Sequence, residues 1–173
     1  MMYRYGGVYF LYICFMYIDF LKEYELIQGL LEKLPRVDPY DTVVLNVSPD
    51  YSSTVSMHIA HHLSEEGSML DMVGVEVPYP GEDKDYYEME FKKKCRFLPI
   101  LYGKVILVEA AVLSGNNYTW IKQMLLDRGF KDEDIITVAL TEMNSSKFKC
   151  DYVQAYIDSM PEFYWERYNK HWD

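Results

Sequence analysis

The sequence predicts an α/β fold in which a mainly parallel, twisted sheet is flanked by helices and carries a small C-terminal hood. This prediction rests on the alternation of two sequence patterns and on the length of the chain. Short β-branched runs alternate along the chain with longer segments whose apolar residues recur at helical spacing. Such alternation requires right-handed crossovers, which place helices against the faces of a parallel sheet. The 173 residues are enough for one domain of this kind with a sizeable core.

Composition and charge exclude several classes of protein. The hydrophobic content of 50% is that of an ordinary globular domain and not of a disordered chain. A net charge of −10 disfavours nucleic-acid binding, because neutralising phosphates requires clustered lysine and arginine. A small anionic ligand remains compatible, since backbone N–H groups bind phosphate even within an acidic protein. The 3 cysteines are far apart, which argues against a disulfide framework and favours a reducing compartment such as the cytoplasm.

Residues 1–16 are treated as an N-terminal extension. The apolar, aromatic run at residues 6–15 is shorter than the about 20 residues that a membrane-spanning helix needs, so no membrane partner is expected. Only Arg4 supplies positive charge before this run, and no small-residue cleavage site follows it, so a signal peptide is not indicated. Two interpretations stay open, namely an extra edge strand or a true translation start near Met16.

The predicted core, residues 17–140, begins with an amphipathic helix that Pro35 ends. The apolar residues of its inner face recur at helical spacing: Phe20, Tyr24, Ile27, Leu31 and Leu34. Residues 42–47 (TVVLNV) form a β-branched run that predicts a buried strand.

A polar loop, a second helix and a second strand are predicted next. Asp50 or Ser52, in the loop at residues 48–53, is expected to cap a helix that ends near Leu63. The strand is predicted at residues 72–77.

The rest of the chain contains one long excursion and a tail. Residues 78–94 are polar and rich in tyrosine, which predicts a long mobile loop. Strand and helix patterns then alternate again, with a strand at residues 104–108, a helix at residues 118–128 and a strand at residues 135–140. Residues 141–173 hold short aromatic runs without a helical period, which we interpret as a hood, either a cover over the crevice or an accessory hairpin.

Residues 105–117 (VILVEAAVLSGNN) carry the pattern that points to chemistry. Gly115 lets the backbone approach an anion closely, and the helix that starts here directs free N–H groups and its dipole at that anion. The Ser114 hydroxyl and the Asn117 amide add hydrogen bonds, and Glu109 is placed to accept from two ribose hydroxyls. Ligands bind outside the carboxyl ends of parallel strands, so the loops that follow residues 47 and 108 are expected to face one crevice.

This segment resembles the signature of the type I phosphoribosyltransferase family. That signature is four apolar residues, two adjacent acids, a short apolar stretch and then Thr/Ser-Gly-x-Thr/Ser. The order of the surrounding elements extends the resemblance over residues 17–166. It implies a phosphoribosyltransferase-like fold, binding of phosphoribosyl pyrophosphate or a nucleotide, transfer of the phosphoribosyl group to a nucleobase with Mg²⁺ as cofactor, and a homodimer.

The resemblance also assigns roles to individual residues. Glu109 holds the ribose and is the candidate catalytic residue, and Asp50 holds Mg²⁺ through water. The candidates for binding phosphate, pyrophosphate or the base are Ser48, Asp50, Ser52, Ser114, Gly115, Asn116, Asn117, Phe163 and Trp165. Phe163 and Trp165 are included because residues 150–166 resemble the hood that stacks on the base in purine-type members.

The chain departs from the family pattern at several positions. The second acid is replaced by Ala110, which removes an electrostatic contribution at a cationic transition state. Asn117 stands in place of Thr or Ser, and the loop at residues 48–53 has no Lys, Arg or Gly. Glu142 or Met143 occupies the place of a base-reading lysine. Two kinds of function therefore stay open. One is a transferase of altered specificity. The other is a catalytically inactive protein on the same fold, which is either nucleotide-binding or regulatory or partner-binding.

Two further clusters have an ordinary and a functional interpretation. Residues 92–94 and Arg96 are either a solvated strand or loop end, or a cationic patch on a mobile loop that closes over pyrophosphate. His58 and His62 share a helix face, which indicates a solvated surface more readily than a metal site because no third ligand is evident.

Overall fold

The computed structural model describes the backbone of residues 3–5, 8–10, 16–64, 70–78 and 81–163, and side chains within 18–49, 52–64, 70–78 and 81–163. The strands are β1 (Tyr3–Tyr5), β2 (Val8–Phe10), β3 (Met16–Ile18), β4 (Thr42–Val47), β5 (Asp71–Val75), β6 (Lys104–Val112), β7 (Ile135–Met143), β8 (Tyr152–Ile157) and β9 (Pro161–Phe163). The helices are α1 (Phe20–Leu31), α2 (Pro49–Leu63), α3 (Lys84–Lys94), α4 (Leu98–Leu101) and α5 (Asn116–Leu126), with a 3₁₀ turn at Asp132–Asp134.

Five parallel strands form the main sheet in the order β5-β4-β6-β7-β8. This arrangement confirms the predicted α/β fold. Every residue of β4 is buried, as a parallel strand covered by helices on both faces requires.

Two apolar clusters lie on opposite faces of the sheet. Val43, Leu45 and Leu107 pack on the face of α3 and α5, whereas Val44 and Ile106 pack on the face of α1 and α2. The alternation in β6 changes near its end. Ala110 and Ala111 both pack on the α1 and α2 face, and Val112 returns to the α5 face. This change positions the side chains at the carboxyl end of the central strand.

The predicted mobile loop at residues 78–94 is wrong for its larger part, because α3 covers Lys84–Lys94. Asp83 caps this helix by accepting a hydrogen bond from the Asp85 N–H, with a separation of 3.0 Å. Phe91 is the one buried residue of α3. A helix with so little apolar surface has no stripe for a periodicity argument to detect.

The predicted loop at residues 48–53 is also mostly helical. The helix α2 begins at Pro49, a residue whose fixed φ suits a first helical position, and its N-cap residue is Ser48. The capping role that we predicted for Asp50 or Ser52 is therefore wrong. No side-chain capping bond is formed at this end.

The central strands are longer than predicted. Strand β6 continues to Val112 and β7 to Met143, so Glu109 lies within a strand and not in the loop after it. The prediction ended both strands at their first acidic or polar residues. Pairing between the two strands continues past that point, as far as Val112 opposite Glu142.

The tail contributes to the main sheet. Strand β8 pairs in parallel with β7, so the interpretation of this part as a cover or accessory hairpin is wrong for Tyr152–Ile157. Strand β9 pairs with β3 in a separate small parallel sheet, and β1 pairs with β2. The division at residues 16 and 140 stays a prediction. Within the described residues, no helix combines the length and apolar character needed to cross a membrane.

Candidate functional site

The candidate site lies at the carboxyl ends of β4 and β6, where the chain enters helices α2 and α5. Ser48 joins β4 to α2 with φ of 51°, and it is the one described residue other than glycine in the left-handed region. Such a conformation costs about 1–3 kcal/mol and is concentrated at binding and catalytic sites. The Ser48 N–H donates to the Val75 carbonyl across 3.0 Å, which ties this turn to the neighbouring strand.

Glu109 and Asn117 connect the end of β6 to the start of α5. The Asn117 amide donates to Glu109 Oε1 across 2.7 Å, and Glu109 is only 8% exposed. Burial raises the pKa of the Glu109 carboxyl to about 7, and the bond from Asn117 opposes this effect. The site therefore contains a carboxyl group that is poised between its two protonation states near neutral pH.

Gly115 makes the turn between β6 and α5. Its φ is 80°, and a Cβ atom at this position would lie 2.1 Å from Phe148 Cβ. Glycine is thus required twice, by its backbone conformation and by the close approach of Phe148. The Phe148 ring also packs on Tyr118, with 5.3 Å between the ring centroids. One side of the predicted phosphate cradle is therefore closed by the segment after β7, which the sequence did not reveal.

Ser114 and Asn116 remain exposed beside this turn. The Ser114 hydroxyl oxygen accepts from the Asn116 N–H across 3.3 Å. The first N–H groups of α5 have no partner within the helix, as at any helix start. These two side chains and the helix end are consequently available to an anion.

The serines of α2 have other partners. Ser52 is fully buried, and its hydroxyl oxygen accepts from the Ala110 N–H across 3.0 Å. Ser53 donates to the Pro49 carbonyl across 2.5 Å and accepts from the Asn46 amide across 2.9 Å. The predicted contact of Ser52 with pyrophosphate is replaced by a packing role, because its hydroxyl holds α2 against β6. The Asp50 side chain lies outside the described residues.

Ala110 occupies the position of the missing second acid. It is 1% exposed and belongs to the apolar cluster beneath α1 and α2. An acid here would be surrounded by apolar side chains, so alanine is the residue that this packing favours.

The predicted base-stacking residues are not assembled in the described structure. Phe163 is 2% exposed and packs in the α1 and α2 cluster, so its predicted stacking on a base is wrong. Its position on β9, paired with Ile18 on β3, accounts for this burial. Trp165 lies outside the described residues.

Glu142 has a partner that the sequence analysis missed. Its carboxylate is fully buried and accepts from Lys149 Nζ across 2.8 Å and from the Cys150 N–H across 2.9 Å. The Lys149 ammonium also lies 5.8 Å from the centre of the exposed Tyr156 ring. A lysine seven positions after a strand-end glutamate is too weak a pattern to predict this pair.

Lys92 and Arg96 of the basic cluster line a cleft with Met124, Asp127 and Arg128, at the far end of α5 from the phosphate cradle. Phe91 of α3 packs on Trp120, and Arg128 lies over the Phe91 ring. The rise of 1.5 Å per residue places this end about 12 Å or more from Asn116. Lys92 and Arg96 therefore do not cover the cradle, and Lys94 pairs with Glu76 after β5. Among the described residues, no three or more His, Cys, Asp or Glu side chains lie together as a possible metal site. His58 and His62 are therefore not part of such a group.

Comparison with solved structures shows that the chain has the phosphoribosyltransferase fold. A purine phosphoribosyltransferase from Pyrococcus horikoshii matches with a TM-score of 0.61 and 16% identity, over 87% of this chain and 92% of that one. The Helicobacter pylori xanthine-guanine-hypoxanthine phosphoribosyltransferase matches with a TM-score of 0.64 and 16% identity, over 92% and 97% of the two chains.

A third match is a hypothetical protein from Neisseria gonorrhoeae, solved with bound ppGpp. Its TM-score is 0.57 and its identity 14%, over 91% of this chain and 96% of that one. No protein-family model and no curated protein matches the sequence. At these identities the likeness establishes the fold, which the motif at residues 105–117 had predicted.

Proposed function

We propose that this protein binds a nucleotide or another phosphoribosyl compound at the junction of β6 and α5. The observation that carries the proposal is the bond between Glu109 and Asn117. It places a buried carboxyl group beside the open N-terminal end of α5, within a fold shared with purine phosphoribosyltransferases.

The phosphate is bound by the turn. Ser114 and Asn116 are exposed at its edge, and the first turn of α5 supplies free N–H groups and the positive end of the helix dipole. Gly115 itself is buried against Phe148, so Ser114 and Asn116 form the exposed edge of the turn.

The ribose is bound by Glu109. A carboxylate accepts hydrogen bonds from two neighbouring hydroxyls, and the Asn117 amide holds this carboxyl in one orientation. The pKa of about 7 means that a ligand offering hydroxyl donors draws the group towards its ionised form.

Three features favour binding over transfer. Ala110 is buried where a second acid is required, Glu142 is engaged with Lys149 and Cys150, and Ser52 is engaged with Ala110. Of Glu109 and Glu142, whose side chains the structure describes, Glu109 is the carboxyl group left for the expected ribose. A transferase remains the alternative function, and the purine phosphoribosyltransferases that share the fold are the observation in its favour.

We further propose that the protein binds its ligand with Mg²⁺, forms a homodimer and is located in the cytoplasm. The described residues do not form a protein-only metal site, so Mg²⁺ would be held largely by the pyrophosphate oxygens of the ligand, with Asp50 as the protein contact. The dimer rests on the family resemblance and the location on cysteine use.

Calorimetric titration tests the proposal directly. Phosphoribosyl pyrophosphate with Mg²⁺, and separately GMP, are expected to bind wild-type protein and to fail with Asn117→Trp, which fills the cradle and breaks the bond to Glu109. Gln123→Trp introduces the same side chain at an exposed position of α5 and should bind normally. Unchanged binding by Asn117→Trp would contradict the site.

Release of pyrophosphate separates the two candidate functions. The protein is incubated with phosphoribosyl pyrophosphate, Mg²⁺ and a mixture of nucleobases. Binding without pyrophosphate release supports the non-catalytic function. Release that depends on one base, and that Glu109→Gln abolishes, establishes the transferase.

A further inference from the structure

A cleft lies between the C-terminal turns of α3 and α5, away from the proposed nucleotide site. Its volume is about 400 Å³, within the range of small-molecule sites. The residues that line it are Glu88, Lys92, Arg96, Met124, Asp127 and Arg128. Three of these six side chains are cationic, in a chain whose net charge is −10.

Aromatic rings hold both guanidinium groups of the cleft. The Arg128 guanidinium lies 5.0 Å from the centre of the Phe91 ring, and its Nη1 donates to the Met124 carbonyl across 2.9 Å. The Arg96 guanidinium lies 4.2 Å from the centre of the Phe97 ring. A guanidinium stacked on a ring keeps its edge free for planar hydrogen bonding, and fixing it beforehand lowers the entropy lost when a ligand binds.

The acidic residues of the cleft already have partners. Glu88 pairs with Lys92, and Asp127 accepts from the Gln123 amide across 2.8 Å. Arg96 and Arg128 form no ion pair with any carboxylate in the part of the chain that the structure describes. The two arginines are therefore the cations of the cleft with free donors.

Helix capping does not account for the whole cluster. Lysines in the last turn of α3 interact favourably with the helix dipole, which explains residues 92–94. Arg96 lies beyond the end of α3, and Arg128 comes from the segment after α5. Their convergence on one cleft from two elements needs a different explanation.

We propose that this cleft binds a small phosphorylated molecule that carries two or more phosphate groups. Planar guanidinium groups bind phosphate oxygens in pairs, and two of them lining one cleft suit neighbouring phosphates. The site is independent of the proposed nucleotide function, because it uses the other end of α5 and none of residues 109–117.

The experiment uses tripolyphosphate as the probe, in calorimetry at an ionic strength of about 0.15 M, where exposed charges are screened. The full-length Arg96→Gln/Arg128→Gln variant is expected to bind about tenfold or more weakly than wild type, as the loss of two charge-assisted contacts requires. Asn117→Trp is expected to leave this binding unchanged, which separates the cleft from the nucleotide site. Arg36→Gln/Lys104→Gln removes the same charge elsewhere and serves as the control.

Three outcomes would overturn the proposal. Binding is retained by the double variant of the cleft, or the control variant loses it equally, or an acidic peptide competes for the cleft more tightly than tripolyphosphate does. Circular dichroism checks that the double variant is folded. If it is not, Arg96→Gln alone gives the same test, since Arg96 is exposed and stacks on the exposed Phe97 ring.

Discussion

Two turns at the carboxyl ends of neighbouring strands share a backbone arrangement and differ in the use of their side chains. After β4 and after β6 the chain enters a helix through a left-handed residue, Ser48 or Gly115, and neither helix has a side-chain cap. The hydroxyl of Ser52, after β4, is buried and bonded to Ala110. Ser114, after β6, is exposed. A polar turn residue is a ligand candidate only where the fold has not already given it a partner.

The strain in the two turns also differs. Gly115 adopts its conformation at little cost, because glycine populates positive φ readily. In Ser48 the same conformation is strained, and the hydrogen bond to the Val75 carbonyl and the packing of α2 maintain it. The turn after β4 is therefore strained, and the turn after β6 is relaxed.

The largest effect is expected from Ala110→Asp, which restores the second acid of the family pattern. Ala110 is buried in the apolar cluster beneath α1 and α2, so an unpaired carboxylate there should destabilise the protein by about 3–5 kcal/mol. Urea unfolding measures this, with Ala110→Asn as the uncharged control of nearly the same volume. A variant as stable as wild type that gains transferase activity would show that position 110 faces the ligand.

Glu109→Gln is expected to change the pH dependence of stability. The folded-state pKa of about 7 exceeds the unfolded value of 4.5, so the folded protein retains a proton that the unfolded chain loses. The contribution of Glu109 is therefore complete below pH 4.5 and falls by up to about 3 kcal/mol as the pH rises to 7. The variant should lack this fall.

Glu23 provides the comparison for that measurement. Burial raises its pKa to about 7 as well, and neither carboxylate oxygen has a partner within the described residues. Glu23→Gln should remove a separate part of the pH dependence and leave nucleotide binding intact. A Glu109→Gln variant with the wild-type pH profile would contradict the burial of Glu109.

Gly115→Ala and Ser48→Gly contrast the two turns directly. The alanine meets both the positive φ and Phe148, so a loss of about 2–3 kcal/mol is expected. The glycine relieves the strain at Ser48 but adds freedom to the unfolded chain, so a gain of no more than about 1 kcal/mol is expected. Thermal unfolding of the pair checks both signs. Equal destabilisation by the two would show that the turns are equivalent.

Ser52→Ala and Ser114→Ala give the smallest effects and separate stability from binding. Ser52→Ala leaves the buried Ala110 N–H without an acceptor and should cost about 1–2 kcal/mol, with no change in nucleotide affinity per folded molecule. Ser114→Ala should weaken binding severalfold and leave the unfolding midpoint unchanged. The reverse result would exchange the roles assigned to the two serines.

The sequence predicted the elements that carry strong patterns. Buried strands such as β4, the helix α1 and the turn at Gly115 were found. The predicted inner face of α1 is wrong for Phe20 and Tyr24, which are exposed, whereas Glu23 is buried. Helix α3 was missed because one buried residue leaves no periodic stripe. Strand β8 was missed because its residues are mostly half-buried on the edge of the sheet, so they carry neither a continuous apolar run nor a clear alternation.

The sequence likewise predicted one part of the candidate site and not the rest. The sequence predicted the order of acid, serine, glycine and asparagine, and with it the junction of a strand and a helix. It did not predict that Phe148 closes one side of Gly115, that Lys149 neutralises Glu142, or that Ser52 belongs to the core. Each of these contacts joins residues from separate elements or across a turn that local patterns do not specify.

What the sequence by itself determined is the parallel α/β fold and the turn at residues 114–117 that we propose binds an anion, because both depend on patterns within a few consecutive residues. Only the tertiary structure decided which polar groups remain free at that turn. Burial of Ala110 beneath α2, and of Glu109 beside Asn117, is set by neighbouring strands and helices. The proposed balance between binding and catalysis follows from that packing, since apolar side chains enclose Ala110 at the position where the family pattern has a second acid.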